Sequence, residues 1–189
     1  MKSVIKSLVA VFAVCAALVS AGAYAQGFYG ELGYGYLKVD VSAGDFSDSG
    51  NVGDAGLRLG YMFTKNFGVE LFGATNVSSA TIGGADVSMD SAYGAYLKGQ
   101  FEVAPSFELF AKVGYVEGTL KASSGTMGVS ASQSDGDVSY AVGLQYAFTK
   151  NWYGQLDYAQ YYNKSERVGG FGTASISIRG PSISVGYRF

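Results

Sequence analysis

The chain has 189 residues, 48% hydrophobic and 15% charged, with a net charge of −2. A single cysteine excludes a disulfide framework, the absence of histidine removes the commonest general base and metal ligand, and the slightly acidic balance excludes a nucleic-acid-binding footprint. Twenty-eight glycines, fifteen tyrosines and only two prolines favour strands joined by small residues over helices.

Residues 1–25 read as a cleaved secretory leader. Lys2 and Lys6 give a positive start, Leu8 to Val19 is uncharged and apolar, and Ala23-Tyr24-Ala25 is an A-x-A cleavage site. The apolar run is shorter than the roughly 20 residues a spanning helix needs. Cys15 lies inside it, but bulky Val14 precedes it and the apolar run continues past it, which argues against lipoprotein attachment. The mature chain is then one domain, residues 26–189, without cysteine. It sheds two lysines and no acid, so its charge falls from −2 to −4. No later stretch is apolar for the 18 residues of a spanning helix.

From Phe28 onward, period-2 segments recur, separated by alternately short and long connections. Nine-residue windows at 28–36, 55–63, 67–75, 93–101, 107–115, 140–148, 152–160 and 181–189 predict eight strands. The short connections are Thr64-Lys65-Asn66, Glu102 to Ser106, and Thr149-Lys150-Asn151. The long ones, about Leu37–Asp54, Asn76–Ala92, Val116–Ser139 and Tyr161–Gly180, are rich in Ser, Gly, Asp and Ala and read as loops. Gly60-Tyr-Met-Phe-Thr-Lys-Asn-Phe67 is echoed by Gln145-Tyr-Ala-Phe-Thr-Lys-Asn-Trp152, as in a meander of repeated hairpins.

The odd positions of the eight windows contain no Asp, Glu, Lys or Arg, where about six would be expected at 15% overall. An Arg or Lys facing lipid at mid-bilayer costs about 2–4 kcal/mol, which accounts for the depletion. The short-connection ends are aromatic: Phe28, Phe63, Phe67, Phe101, Phe107, Phe148, Trp152 and Phe189. Tyr36, Tyr93, Tyr115 and Tyr140 mark the other end. Nine residues tilted in a barrel wall span roughly 20 Å, which sets these rings near the two faces of an apolar band about 25 Å tall. The final strand, Pro181 to Phe189, runs off the end of the chain, and closing it onto the first strand removes its edge. The expected fold is all-β: an eight-stranded antiparallel up-and-down transmembrane β-barrel.

The even positions then face inward. They hold Glu31, Arg58, Glu70, Lys98, Glu108, Lys112, Asp157 and Arg188, four acids and four bases. Strand order puts Glu31 beside Arg58, Arg58 beside Glu70 and Glu70 beside Lys98. On closure, Arg188 lies between Asp157 and Glu31. Buried charges must pair to be tolerated, and eight strands leave an interior just wide enough for side chains. The structural expectation is a lumen plugged by a charge network; the alternative is a narrow ion or water path.

The leader, the short/long alternation, the Phe-Thr-Lys-Asn-Phe/Trp turns and the terminal Ser-Val-Gly-Tyr-Arg-Phe resemble the small bacterial outer-membrane β-barrels of the OmpA/OmpX type. The resemblance implies a bacterial outer-membrane location. It also implies that Tyr187 and Phe189 are read by the outer-membrane insertion machinery. No peptidoglycan-binding domain of the OmpA kind is expected after the barrel. Barrel enzymes of the outer membrane resemble one another in relying on a histidine, so no enzyme, cofactor or metal site is expected. The acid pairs Asp45/Asp48 and Asp135/Asp137 lack calcium-loop spacing. The four long connections carry ten acids against five bases, which argues against holding acidic glycans by charge alone. The expected role is structural and surface-interacting. The expected partners are outer-membrane lipid and lipopolysaccharide, the insertion machinery, and a host or surface ligand held by the loops, on a monomer. The runner-up is a narrow channel or lateral-diffusion transporter for small or apolar solutes.

Overall fold

The computed structural model describes residues 27–44, 46–78, 80–82, 85–124, 129–168 and 172–189. The leader expected over residues 1–25, with Ala23 and Ala25, lies outside the described residues, as does Asp45.

Alternating apolar and small or polar side chains drive nearly the whole described chain into strands. These are β1 (Gly27–Ala43), β2 (Phe46–Met62), β3 (Phe67–Ser78), β4 (Ala80–Ile82), β5 (Ala85–Ala104), β6 (Phe107–Ser124), β7 (Val129–Ala147), β8 (Trp152–Val168) and β9 (Gly172–Arg188). The short β4 pairs β5 beyond the end of the β3–β5 ladder, so β3 and β4 together form one stave. The wall therefore has eight antiparallel staves. β1 pairs both β2 and β9, and the β3–β5 pairing closes the ring. Each of the eight windows falls on one stave, to within a residue at its end.

The period-2 reading of the two faces holds along the wall. Leu32, Leu71, Val142, Leu156 and Ile183 stand outside, 56–69% exposed. Glu31, Glu70 and Lys98 are 1–2% exposed inside. The aromatic ends gather into contacts at the short-turn rim: Phe28 against Tyr61, Phe67 against Phe101, Phe107 against Tyr146, and Tyr187 between Trp152 and Phe189 at 5.0 and 5.2 Å.

Both Thr-Lys-Asn turns are built alike. The Thr64 hydroxyl accepts from the backbone N–H groups of Asn66 and Phe67, and Thr149 accepts likewise from Asn151 and Trp152. Each asparagine side chain then donates to a carbonyl of the next strand, Asn66 to Gln100 and Asn151 to Arg188. The connection expected over Glu102 to Ser106 is shorter than its composition suggested. Strand pairing runs to Ala104↔Phe107, leaving Pro105-Ser106 as the turn. Proline fixes the first turn residue, and Ser106 takes the positive φ (69°) the second requires.

The long connections need correction. Among the described residues they are not loops but hairpin arms that continue the ladders. Leu37–Ala43 pairs Phe46–Val52, Val116–Ser124 pairs Val129–Asp137, and Tyr162–Val168 pairs Gly172–Ile178. Ser-, Gly- and Asp-rich strands form here because the opposite arm supplies backbone partners along one edge, so strand propensity matters less. Register shifts at Gly53/Asp54, Met89/Ser91 and Gln160/Tyr162 lie where the arms leave the apolar band, as bulges at barrel rims do. The β7–β8 ladder ends at Tyr140↔Gln160. Above it, side chains bridge the seam.

This orientation yields a stability prediction. Leu156, on the outside between Leu144 and Ile183, when changed to Arg should cost about 2–4 kcal/mol. The check is equilibrium unfolding in lipid vesicles.

Candidate functional site in the barrel lumen

The inward positions form three layers along the barrel axis. At the short-turn end lies a cavity of about 380 Å³. It is lined by Lys65, Gln100, Glu108, Gln145, Tyr153 and Arg188 among others, and reaches inward to Lys98. Arg188 donates to Glu108, which also accepts from Gln145. This ion pair is half-buried: its side chains are 35% and 20% exposed.

The middle layer holds the remaining charges. Glu31 and Arg58 face one another across the β1–β2 ladder, with Arg58 Nη1 3.5 Å from Glu31 Oε2. Arg58 Nε is 3.8 Å from Glu70, and its Nη1 is 3.8 Å from Asp157. The tightest pair is Lys112 with Glu70, donating to both carboxylate oxygens at 2.8 and 2.9 Å. Lys98 is 3.7 Å from Glu31 and donates to Gln145 and Gln155. Its ammonium also lies over the rings of Tyr29 and Phe110 at 4.8 and 5.0 Å.

Two expected neighbours do not pair as strand order implied. Arg188 is level with Tyr29, not Glu31, and its partner is Glu108. Glu70 takes Lys112 from two staves away in place of adjacent Lys98. Both differences have one cause. The barrel's stagger shifts levels between staves, and the lumen is narrow enough for long side chains to reach across it.

Neutral residues complete the layer, and the charge inventory did not single them out. Tyr29 donates to Glu70 and Tyr153 to Glu31, both at 2.9 Å. Gln155 donates to Glu31 and Asp157, and Ser182 accepts from Arg58. Room for the two tyrosines comes from glycines beneath them: a Cβ at Gly60 would strike the Tyr29 ring, and one at Gly186 the Tyr153 ring. Inward parity alone could have flagged these residues. It would also have flagged Asp54, one position before its window. Asp54 is a buried fifth acid folded over Gly35, whose Oδ1 accepts no hydrogen bond among the described residues.

The outer layer is apolar. Leu37, Val39, Val52, Phe72, Ala74, Ala92, Tyr96, Val116, Ala141, Ala159, Tyr161 and Ile178 form one buried cluster to which all eight staves contribute. The rings of Phe72 and Tyr161 stack at 5.7 Å, and Tyr96 meets the edge of Phe72 at 6.2 Å. Beyond this layer the β7–β8 seam is bridged by Asp135, which accepts from Lys164 at 2.7 Å and Tyr162 at 2.6 Å, while Asp137 accepts from the Asn163 backbone.

With this geometry in view, the comparisons decide kinship. The family model for the outer membrane protein beta-barrel domain matches residues 7–189. The chain belongs to that family. This outer-membrane barrel accordingly has its place in the bacterial outer membrane. Solved structures similar to it include the Neisserial surface protein A, at TM-score 0.62 and 17% identity over 86% of this chain and 97% of that one. OprG from Pseudomonas aeruginosa is similar at TM-score 0.56 and 18% identity over 86% and 96%. Ail, the attachment invasion locus protein of Yersinia pestis, is similar at TM-score 0.51 and 20% identity over 87% and 100%. At these identities the likeness is one of fold. No curated protein matches the chain.

Burial separates the ion pairs energetically. Lys112→Met leaves Glu70 buried without its closest cation and should cost about 3–5 kcal/mol. Arg188→Ala at the half-exposed rim should cost about 0–1 kcal/mol. Urea unfolding in vesicles measures both. Outside the membrane, the Lys164 and Tyr162 hydrogen bonds hold the Asp135 carboxyl down at about 2. Its stabilising contribution is complete above the usual carboxylate value of about 3.9 and is lost as pH falls through about 2. A carboxyl NMR titration should show this depressed midpoint, and Lys164→Ala should return it toward the ordinary range.

Proposed function

We propose that this outer-membrane barrel is a closed structural and surface-presenting protein rather than a channel or an enzyme. The observation that carries the reading is the filling of the lumen. Six charged side chains interlock with Tyr29, Tyr153, Gln145 and Gln155 in the middle layer, and twelve apolar-rich positions close the outer layer. A conducting pore needs a continuous polar lining, and the outer layer interrupts it. What the protein then offers its surroundings is its hairpin arms, which carry outward charges such as Lys38, Asp40 and Arg179. The four connections carry ten acids, of which Asp54 is buried in the lumen, against five bases; the remaining acidic excess favours a neutral or basic surface ligand over an acidic glycan. Ail has been crystallised with a heparin analogue; this chain's acidic arms argue against carrying that ligand class over. Tyr187 and Phe189, in the ring cluster beside Trp152, are proposed as the signal read at insertion, and cleavage after Ala25 as the step before it.

Planar-bilayer recording of the purified, folded protein is the test. Closed bilayers are expected; steady, sizeable conductance would defeat the reading. Glu31→Gln combined with Arg58→Gln should lower unfolding stability and leave conductance unchanged, whereas a charge-lined channel would change its current.

A further inference from the structure

The plugged reading does not say which layer excludes ions. We propose that the apolar layer alone is the permeability barrier. On this view the charged layer beneath it is the wet wall of a blind vestibule that opens only to the periplasm. The inference rests on the closed-lumen reading and deepens it.

Three observations carry it. First, the apolar layer spans the whole cross-section: each of the eight staves contributes at least one buried member, from Leu37 and Val39 on β1 to Ile178 on β9. The partly buried Val41, Tyr162 and Ile176 pack against it. The Tyr96 hydroxyl is turned into the wall, where it meets Ser139, and Ser139 donates to the Gln160 carbonyl; the Tyr161 hydroxyl is held by Arg58 of the charged layer. A narrow constriction without polar partners for water dewets and blocks ions.

Second, the charged layer is built in the opposite way. Four of its ion pairs stand at 3.5–3.8 Å, beside the close Lys112–Glu70 pair, and Lys98, the charged member of the layer that lines the cavity, is bound to amide oxygens at 3.3 and 3.4 Å. Such separations can be bridged or loosened by water.

Third, the cavity of about 380 Å³ lies at the short-turn end and reaches Lys98, Gln145 and Tyr153 from that side. In barrels of this kind the short turns face the periplasm. Water and small ions arriving there meet Arg188, Glu108 and Gln145, reach the level of Lys98, and stop beneath Phe72, Tyr96 and Tyr161.

Two measurements test the assignment. In planar bilayers, three folded proteins are compared, folding being verified by faster gel migration without heating: wild type, a collar variant (Leu37→Ser with Tyr161→Ser) and a charge variant (Glu31→Gln with Arg58→Gln). The collar variant should carry at least ten times the wild-type leak, and the charge variant should remain at the wild-type level. A silent collar variant beside a conducting charge variant would overturn the inference while leaving the closed-lumen reading intact. Steady conductance from wild type would remove that reading itself. Should the double serine variant fail to fold, Ile178→Ser is recorded in its place under the same criterion.

The second measurement needs no conductance. The expected mature chain has no cysteine, so Glu108→Cys and Ala159→Cys each introduce one thiol. A small charged methanethiosulfonate reagent should modify the vestibule thiol at least a hundred times faster than the collar thiol in folded protein. Comparable rates would mean a wet collar, and the proposal fails.

Discussion

In hydrocarbon a backbone N–H or C=O has no water to turn to, and each unsatisfied group costs several kcal/mol. That requirement governs this molecule. It forces the ladders to run without a break around the ring, and the last pairing is the one on which closure depends. The β9 strand ends with the Phe189 N–H donating to the Phe28 carbonyl on one side. On the other, Arg188 and Asn151 exchange a backbone bond and a side-chain bond. With β3 laddered to β5, no stave keeps a free edge within the band. Antiparallel closure also fixes parity, since alternate side chains must point out to lipid or into the lumen.

Parity then divides the chemistry. Outside, uncharged residues with aromatic ends meet the acyl chains and their boundaries. Inside, the same spacing crowds charge and aromatic bulk into a space eight staves wide. The glycines under Tyr29 and Tyr153 are the local device that makes this workable, because they let a ring lie flat on the neighbouring stave and deliver its hydroxyl to a buried carboxylate. The charged layer is thereby knitted by neutral donors as much as by ion pairs. The arms above the band face water on their outer side, yet they continue the ladders with Ser, Gly and Asp because their partners are already aligned. Where the β7–β8 ladder stops, Asp135, Lys164 and Tyr162 take over as side-chain bridges.

Much of this was legible in the residues. The absence of charge at odd window positions and the aromatic ends gave the staves, the two faces and the closure, since lipid tolerates few exceptions. Adjacent staves gave the Glu31–Arg58 and Arg58–Glu70 contacts. The partners of Arg188 and Lys112 were not readable, because stagger and reach across a narrow lumen are properties of the closed barrel, not of strand order. The apolar collar was also missed, although Leu37, Val52, Val116 and Ile178 continue the inward parity. A window that stops at the aromatic belt stops too soon, and Ser/Gly-rich composition resembles loop when it is in fact paired strand. Asp54 fell outside for the same reason.

The central claim is that hydrocarbon wets one side of each stave. Spin labels introduced singly at consecutive positions along β8, from Tyr153 to Ala159, test it most directly in reconstituted bilayers. Oxygen accessibility should alternate with a period of two, high at Gly154, Leu156 and Tyr158 and low at Tyr153, Gln155, Asp157 and Ala159. Loss of that alternation, or preferential access of a water-soluble nickel reagent to Leu156 and Tyr158, would contradict the account.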